Sequence, residues 1–259
     1  MIDFHTHSNV SDGSHSPSDL VKIATGKGIK YMALTDHNTV KGLREANQAA
    51  KKYGLHLING TELSCERNTH IIGLFLKRFG EINAKASIRH KYIELSLKNY
   101  GFTKEKYGTL LNARDAFIKM MIDNGKSSGK THTIERFLQP PFGYGEAIDI
   151  IHRAGGLAIL AHPSRTKGVN DHDLPEFIKE LKSYGLDGIE VYQSMQTDDY
   201  TAFVNELAIK NDLLISGGSD YHNPSRTARE LGMYGNIDNR KPIPEEIFDN
   251  LWQNRNKYK

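Results

Sequence analysis

The sequence predicts an α/β protein, a parallel sheet wrapped by helices, and three observations lead there. Short apolar runs alternate with helix-length amphipathic stretches along most of the chain. The runs are strand-sized and rich in Ile, Leu, Val and aromatics, and 38% of the 259 residues are hydrophobic, enough for one continuous core. Histidines and acids stand where those runs end, the edge at which barrels and α/β sheets carry their chemistry.

In chain order, strands are expected at 1–5, 31–36, 56–60, 69–76, 156–161, 188–191 and 213–217, a set that suits a barrel or a long open sheet. Residues 18–27 read as a helix, with Pro17 and Ser18 placed to start it and Gly28 placed to stop it. A second helix is expected over 39–53, where Val40, Leu43, Ala46, Ala50 and Tyr53 recur on one face and Gly54 marks the end. Helices over 173–184 and 199–211 repeat that logic before their strands, and 242–252 reads as a closing helix with Trp252 on its apolar side. The stretch 77–145 breaks the rhythm. It is long, polar and helix-like, and is interrupted by Gly101, Gly108, Gly125, Gly129 and the pair Pro140-Pro141. It reads as an inserted helical subdomain, which leaves 1–76 and 146–259 as the main domain. Within it, Gly125-Lys126-Ser127-Ser128-Gly129-Lys130 has the wrong spacing for a phosphate loop and follows no strand, so an inter-helix loop is expected.

Composition removes several classes. The single cysteine, Cys65, excludes intrachain disulfides and paired-thiolate zinc sites, so any metal must be held by imidazole and carboxylate. A net charge of +3, from 34 basic residues scattered among 31 acids, does not nominate nucleic acid. The basic tail 255–259 is expected to be solvated. Mean hydropathy is −0.55. No apolar run approaches the roughly 18 residues of a spanning helix, and the opening residues carry no secretory pattern, so a cytoplasmic protein without a membrane partner is expected.

The chemistry lies at the strand ends. His5 and His7 follow the first strand, and alternation sends both side chains to one face. Asp12 sits in the turn sequence Ser11-Asp12-Gly13. The second strand closes in Thr35-Asp36-His37-Asn38, Glu62 follows the third after Gly60, and His70 opens the fourth. The fifth ends in Ala161-His162-Pro163 and the last in Gly218-Ser219-Asp220-Tyr221-His222. Any one of these could be a hydrogen-bonded structural residue or a turn former. Packing does not require all of them at one edge. With no thiolate in the set, borderline to hard divalent ions such as Mn, Zn or Fe are preferred.

These motifs, His5-Thr6-His7, Ser11-Asp12-Gly13, Leu34-Thr35-Asp36-His37, Gly60-Thr61-Glu62, His70, Ala161-His162-Pro163 and Gly218-Ser219-Asp220-Tyr221-His222, resemble in order and spacing the metal-ligand motifs of the PHP (polymerase and histidinol phosphatase) superfamily. Within it the chain is most similar to the stand-alone phosphoesterases that include bacterial 3',5'-nucleoside bisphosphate phosphatases, which also act as 5'-3' exoribonucleases on short RNA. The resemblance implies a distorted (βα)7 TIM-like barrel with a helical insertion and a site for three divalent ions, Mn above all, with Fe, Zn or Mg as alternatives. Carried over by position, it implies His5, His7, Glu62 and Asp220 on a first ion, Glu62, His70 and His162 on a second, and Asp12, His37 and His222 on a third, with Glu62 bridging. The reaction it implies is hydrolysis of a phosphomonoester by a hydroxide bridging two ions, with no protein nucleophile. The substrate is then a small phosphorylated molecule, a nucleotide or short RNA, and no obligate protein partner is evident.

Arginine suits a further substrate phosphate because its planar fork binds oxygens bidentately. Arg165, three residues after His162, comes first, then Arg226, then Arg114, which resembles an arginine of the family's substrate-capping segment; that segment continues Arg-Pro-His, whereas this chain reads Arg114-Asp115-Ala116. Asp36 is expected to orient a ligand imidazole or a backbone group, and Glu190 to bond ligands or face the cavity. His15, His56, His90, His132, His152 and His172 lack strand-end partners and read as structural or surface residues. Three other classes stay open: an exonuclease on single-stranded DNA or short RNA, an amidohydrolase-like barrel, for which no bridging lysine follows a core strand, and a non-catalytic metal-binding scaffold.

Overall fold

The computed structural model describes residues 1–127 and 142–258, without the side chains of 88–90, 110 and 111. Gly129, Lys130, His132 and Pro140-Pro141 lie outside these residues, as does the side chain of His90. The chain divides into two compact units, one of Met1–Ile82 with Phe142–Lys259 and one of Asn83–Pro141.

In the larger unit β1 (Ile2–Thr6), β2 (Tyr31–Leu34) and β3 (His56–Asn59) form a parallel three-stranded sheet. A five-stranded sheet follows in the order β4 (Thr61–Ser64), β5 (His70–Leu74), β6 (Leu157–Leu160), β7 (Gly188–Gln193), β8 (Leu214–Gly218). Strand β5 runs antiparallel to both neighbours, and the β6–β7 and β7–β8 pairs are parallel. Isolated bridges Thr6–Tyr221 and His37–Glu62 link the two sheets. A short antiparallel pair, β9 (Met233–Tyr234) and β10 (Lys241–Pro242), completes the strands among the described residues. The fold is therefore mixed α/β with parallel sheets. β4 is a strand that the sequence reading merged into a loop after Gly60, and β10 takes Pro242 out of the expected closing helix.

The strands are apolar on both faces. Met32 and Leu34 of β2 belong to one buried cluster and Ala33 between them to another. The first cluster lies under the helices α1 (Pro17–Gly26), α2 (Leu43–Tyr53), α6 (Tyr144–Arg153), α7 (Leu174–Ser183) and α8 (Asp198–Lys210). The second joins Ile2, Phe4 and Ile58 of the first sheet to Ile72, Leu74 and Ile159 of the second, with Ile247 and Leu251 of α9 (Ile247–Asn254). Local signals set the helix ends. Ser16 caps α1 by accepting from the Asp19 amide, with Pro17 in the first turn, and Gly54 ends α2 in the left-handed region at φ 74°. Helix α2 starts at Leu43, four residues later than expected, after a loop in which the Asp36 and Thr39 carbonyls share the single proton of the Thr61 hydroxyl at 3.0 and 3.1 Å.

The tail does not float free. Lys257 Nζ and Tyr258 OH each approach Asp187 Oδ1 at 2.9 Å, and the Tyr258 ring stacks on His152, which itself bonds Asp187 Oδ2 at 2.9 Å. A buried carboxylate with room for several donors outweighs the solvation expected of a basic terminus.

The smaller unit contains the C-terminal part of α3 (Gly80–Asn99), then α4 (Lys104–Tyr107) and α5 (Leu110–Asp123). It has its own small core of Ile93, Leu97, Ala113, Phe117 and Met121. No helix among the described residues is long and apolar enough to cross a membrane.

Candidate metal centre

The expected strand-end residues meet at one edge of the larger unit, and backbone irregularities bring them there. A register shift between Asp3 and Thr6 interrupts β1, after which His5 and His7 are fully buried with Phe4 still in the apolar cluster. Because β5 is reversed, its first residue, His70, stands at the end where the parallel strands finish, paired with Ser64 and next to Ala161, whose amide bonds the His70 carbonyl. His162 and Asp220 have positive φ, 25° and 53°, and Asn38 beside His37 has φ 54°. Such backbones are costly for residues with a Cβ and recur where geometry serves a site.

Three groups of imidazole and carboxylate atoms each lie within 4.8 Å of one another: His5, His7, Glu62 and Asp220; His7, Asp12, His37 and His222; and His37, Glu62 and His70. Glu62 is central. Its Oε2 stands 3.2 Å from His5 Nε2, 3.1 Å from His7 Nε2 and 3.2 Å from His37 Nδ1, and its Oε1 2.7 Å from His70 Nδ1 and 2.9 Å from His162 Nε2. Asp220 Oδ1 is 3.5 Å from His5 Nε2 and 3.3 Å from His7 Nε2.

These spacings fit divalent ions. Two ligands each about 2.1 Å from one ion stand about 3.0 Å apart at an octahedral angle and about 3.4 Å at a tetrahedral one. Five buried atoms of the set, His5 Nε2, His7 Nδ1 and Nε2, His37 Nδ1 and Glu62 Oε2, make no hydrogen bond at all. Leaving so many buried polar atoms unpaired is expensive unless a cation satisfies them. The tautomers agree. His222 Nδ1 lies 2.7 Å from the Asp220 carbonyl, which only accepts, so Nδ1 carries the proton. The Nε2 of the same ring lies 3.1 Å from Asp12 Oδ2.

Charge is strongly perturbed. Burial opposes ionisation of Glu62, but His37, His70 and His5 outweigh it and hold the carboxyl well below its usual range. Asp220 is held low against burial by His222, His5, Arg165 and Arg229. Burial also works against a charged His7, yet the Asp220 and Glu62 carboxylates push that imidazole up to about 9. His162 goes the other way, pushed down by burial to about 3, with Arg165 adding to the effect. A neutral imidazole is the ligating form.

The surrounding residues hold this set in place. Glu190 Oε1 accepts from His5 Nδ1 at 3.0 Å and its Oε2 from the His162 amide at 2.7 Å, so one carboxylate orients two candidate ligands. Asp36 does not hold an imidazole. It accepts from the Ser8 amide and hydroxyl and from the Ser11 hydroxyl at 2.7–2.8 Å, fixing the loop that carries Asp12. Asp3 accepts from the Ser219 amide and hydroxyl and the Gly232 amide, and burial pushes its carboxyl up to about 6.

The arginines divide. Arg165 Nη1 bonds Asp220 Oδ2. Arg226 is exposed, and Arg114 lies in the smaller unit, where it meets Asp115 at 3.3 Å. Arg229 was not singled out in the sequence, yet its Nη1 is 2.7 Å from Asp220 Oδ2. Nor was Asp3, whose alternation with His5 was the available signal. His152 pairs with Asp187, His15 stacks on Tyr221, His56 stacks on Tyr31 and His172 is exposed, all outside the centre.

With this geometry in view, the comparisons with known proteins are direct. Residues 3–223 match the PHP domain model, and the chain belongs to that family. It is 34% identical over 248 residues to a 5'-3' exoribonuclease of Haemophilus influenzae, spanning 86% of this chain and 90% of that one. It is 30% identical over 279 aligned positions to a 3',5'-nucleoside bisphosphate phosphatase of Chromobacterium violaceum, spanning 96% of each. A solved structure of a Chromobacterium violaceum amidohydrolase with bound sulfate superposes with a TM-score of 0.70 at 25% identity, covering 97% of this chain and 96% of that one.

Proposed function

We propose that this PHP-family hydrolase of phosphate esters cleaves a phosphomonoester on a small substrate, a nucleotide or another phosphorylated metabolite. The observation that carries the reading is the buried set of unpaired imidazole and carboxylate atoms around Glu62, spaced as shared ligands of divalent ions. His5, His7, Glu62 and Asp220 would hold one ion, Glu62, His70 and His162 a second, and Asp12, His37 and His222 a third, with Mn the expected metal and Fe, Zn or Mg alternatives. Such ions supply an activated water and neutralise charge on the phosphoryl oxygens. The chain does the rest. Glu190 keeps the proton of His5 on Nδ1 and so keeps Nε2 turned inward. Arg165 stands at the Asp220 edge, ready to receive a phosphoryl oxygen through its fork. No serine or cysteine nucleophile is required.

The two sheets are read as arcs of one distorted (βα)7 barrel, supported by the apolar cluster that both share and by the bridges joining their edges. The smaller unit is read as the insertion expected over 77–145, and a buried Cys65 outside any disulfide accords with a cytoplasmic setting. The exoribonuclease relative favours a second reading, removal of nucleotides from short RNA at the same centre.

Dialysis against chelator followed by Mn²⁺ tests the proposal on a panel of p-nitrophenyl phosphate, mononucleotides, nucleoside bisphosphates, short RNA and single-stranded DNA. Activity is expected to vanish and return with the metal, on the small esters first. Activity indifferent to both treatments would overturn it, and turnover of RNA alone would give the second reading.

A further inference from the structure

We infer that helix α3 of the smaller unit bears a surface that binds a single strand of nucleic acid, built from none of the candidate metal ligands. The inference goes beyond the phosphoesterase reading and does not depend on it. The net charge of +3 hides an uneven distribution. Residues Asn83–Pro141 carry 11 Lys and Arg against 5 Asp and Glu, so this unit is strongly basic, while the rest of the chain carries 23 against 26 and is slightly acidic. Charge concentrated in one part of a chain points to a polyanion, which the average over the whole sequence conceals. Ion pairing does not neutralise it. Among the described residues of the unit Lys104 meets Glu94 at 3.4 Å, Arg114 meets Asp115 and Lys119 meets Asp123, whereas Lys91, Lys98, Lys106 and Lys126 enter no ion pair.

Helix α3 gives that charge a shape. Its apolar residues Ile93 and Leu97 are buried in the unit's own core with Ala113, Phe117 and Met121. Lys91, Leu95 and Lys98 stand at i, i+4 and i+7 and form one exposed stripe, with Tyr92 beside it. Tyr92 and Leu95 keep 50% and 52% of their surface open. An open tyrosine flanked by unpaired lysines supplies what a nucleic-acid strand needs, a flat face on which a base stacks and cations for the phosphates. An anionic membrane would need a continuous apolar face beneath the lysines, and on α3 that face is already buried. An acidic protein segment would use the lysines alone and leave the ring without a stacking partner.

The test titrates full-length protein loaded with Mn²⁺ against fluorescent strands of about 12 nucleotides, a 2'-O-methyl oligouridine and an oligothymidine, each blocked at the 5' end, and reads anisotropy between about 50 and 200 mM salt. The variants are Tyr92→Ala, the pair Lys91→Gln with Lys98→Gln, and a control pair on exposed lysines of the larger unit, Lys22→Gln with Lys210→Gln, each checked by thermal melt. Tyr92→Ala is expected to raise Kd at least about 5-fold. The Lys91 and Lys98 pair is expected to raise it about 10-fold and to flatten the slope of log K against log salt by about 1.4, and the control pair to change it less than about 2-fold. Wild type that binds neither strand overturns the inference, as does a control pair that weakens binding as much as the α3 pair. Polyglutamate that competes as well as the strands, charge for charge, overturns it too, and so does binding to phosphatidylserine vesicles in place of the strands. Turnover of p-nitrophenyl phosphate by the same samples reports on the phosphatase reading alone, so the two fail separately.

Discussion

A Cβ placed on Gly218 would stand 2.2 Å from the His5 Cβ and 2.6 Å from the His5 amide nitrogen, so β8 passes β1 at a distance only glycine tolerates. Gly218→Ala is expected to destabilise the protein by about 1–3 kcal/mol, more if the strands cannot separate, read as a lower urea midpoint with an unchanged slope. Glu62→Gln keeps the shape but removes the charge that five imidazoles face. Metal content should fall, and activity with it by at least about 100-fold; a variant that keeps its full metal complement would show that Glu62 does not bridge. At this scale the sequence was readable through coincidence, since His5, His7 and Glu62 each have a structural use singly but recur together at the ends of successive strands. Arg229 and Asp3 were not legible, because an arginine in a loop and an acid inside a strand acquire meaning only from partners hundreds of residues away, Asp3 from Ser219 and Gly232.

Among the elements, four helices of the larger unit were legible to within a few residues, because signals such as Pro17 and Gly54 are local, whereas α6 was not anticipated and α9 begins five residues after the expected Pro242. Direction was not. Hydrophobic pattern is blind to whether a strand runs up or down, so the reversal of β5, which explains a candidate ligand at the start of a strand, had to come from the pairing of Ser64 with His70. The docked tail escaped for the same reason, since its anchor is Asp187 at the head of β7. Burial alone would raise that carboxyl, but His152, the Ala158 amide and Lys257 hold it below its ordinary value. A lowered acid contributes stability that is complete above the ordinary carboxylate range, near pH 4, and is lost as pH falls through the lowered value. Asp187→Asn is therefore expected to cost about 1.5–3 kcal/mol at pH 7, with the gap to wild type narrowing in acid. Thermal melts from pH 7 down to pH 2 check this, and a gap that widens in acid would contradict it.

Taken whole, the molecule draws its candidate ligands from residue 5 to residue 222. A ligand that binds only the folded form stabilises it by mass action, so Mn²⁺ at about 100 times its dissociation constant should add about 2.7 kcal/mol. Differential scanning of chelated and reloaded protein reads this as a rise in Tm, and an unchanged Tm would speak against any resident ion. The architecture as a mixed α/β domain followed from alternation alone, whereas the joining of first strand to last, through the Thr6–Tyr221 bridge and the His7 amide on the Tyr221 carbonyl, is a property of no local segment. That closure orders events in biosynthesis. Asp220 and His222 leave the ribosome last of the candidate ligands, so the two groups they share with His5, His7, Asp12 and His37 can close only when nearly the whole chain has been made, whereas His37, Glu62 and His70 are all made early. Any ion held by those two groups would then be bound late, its timing set by the long-range meeting of the two ends of the chain.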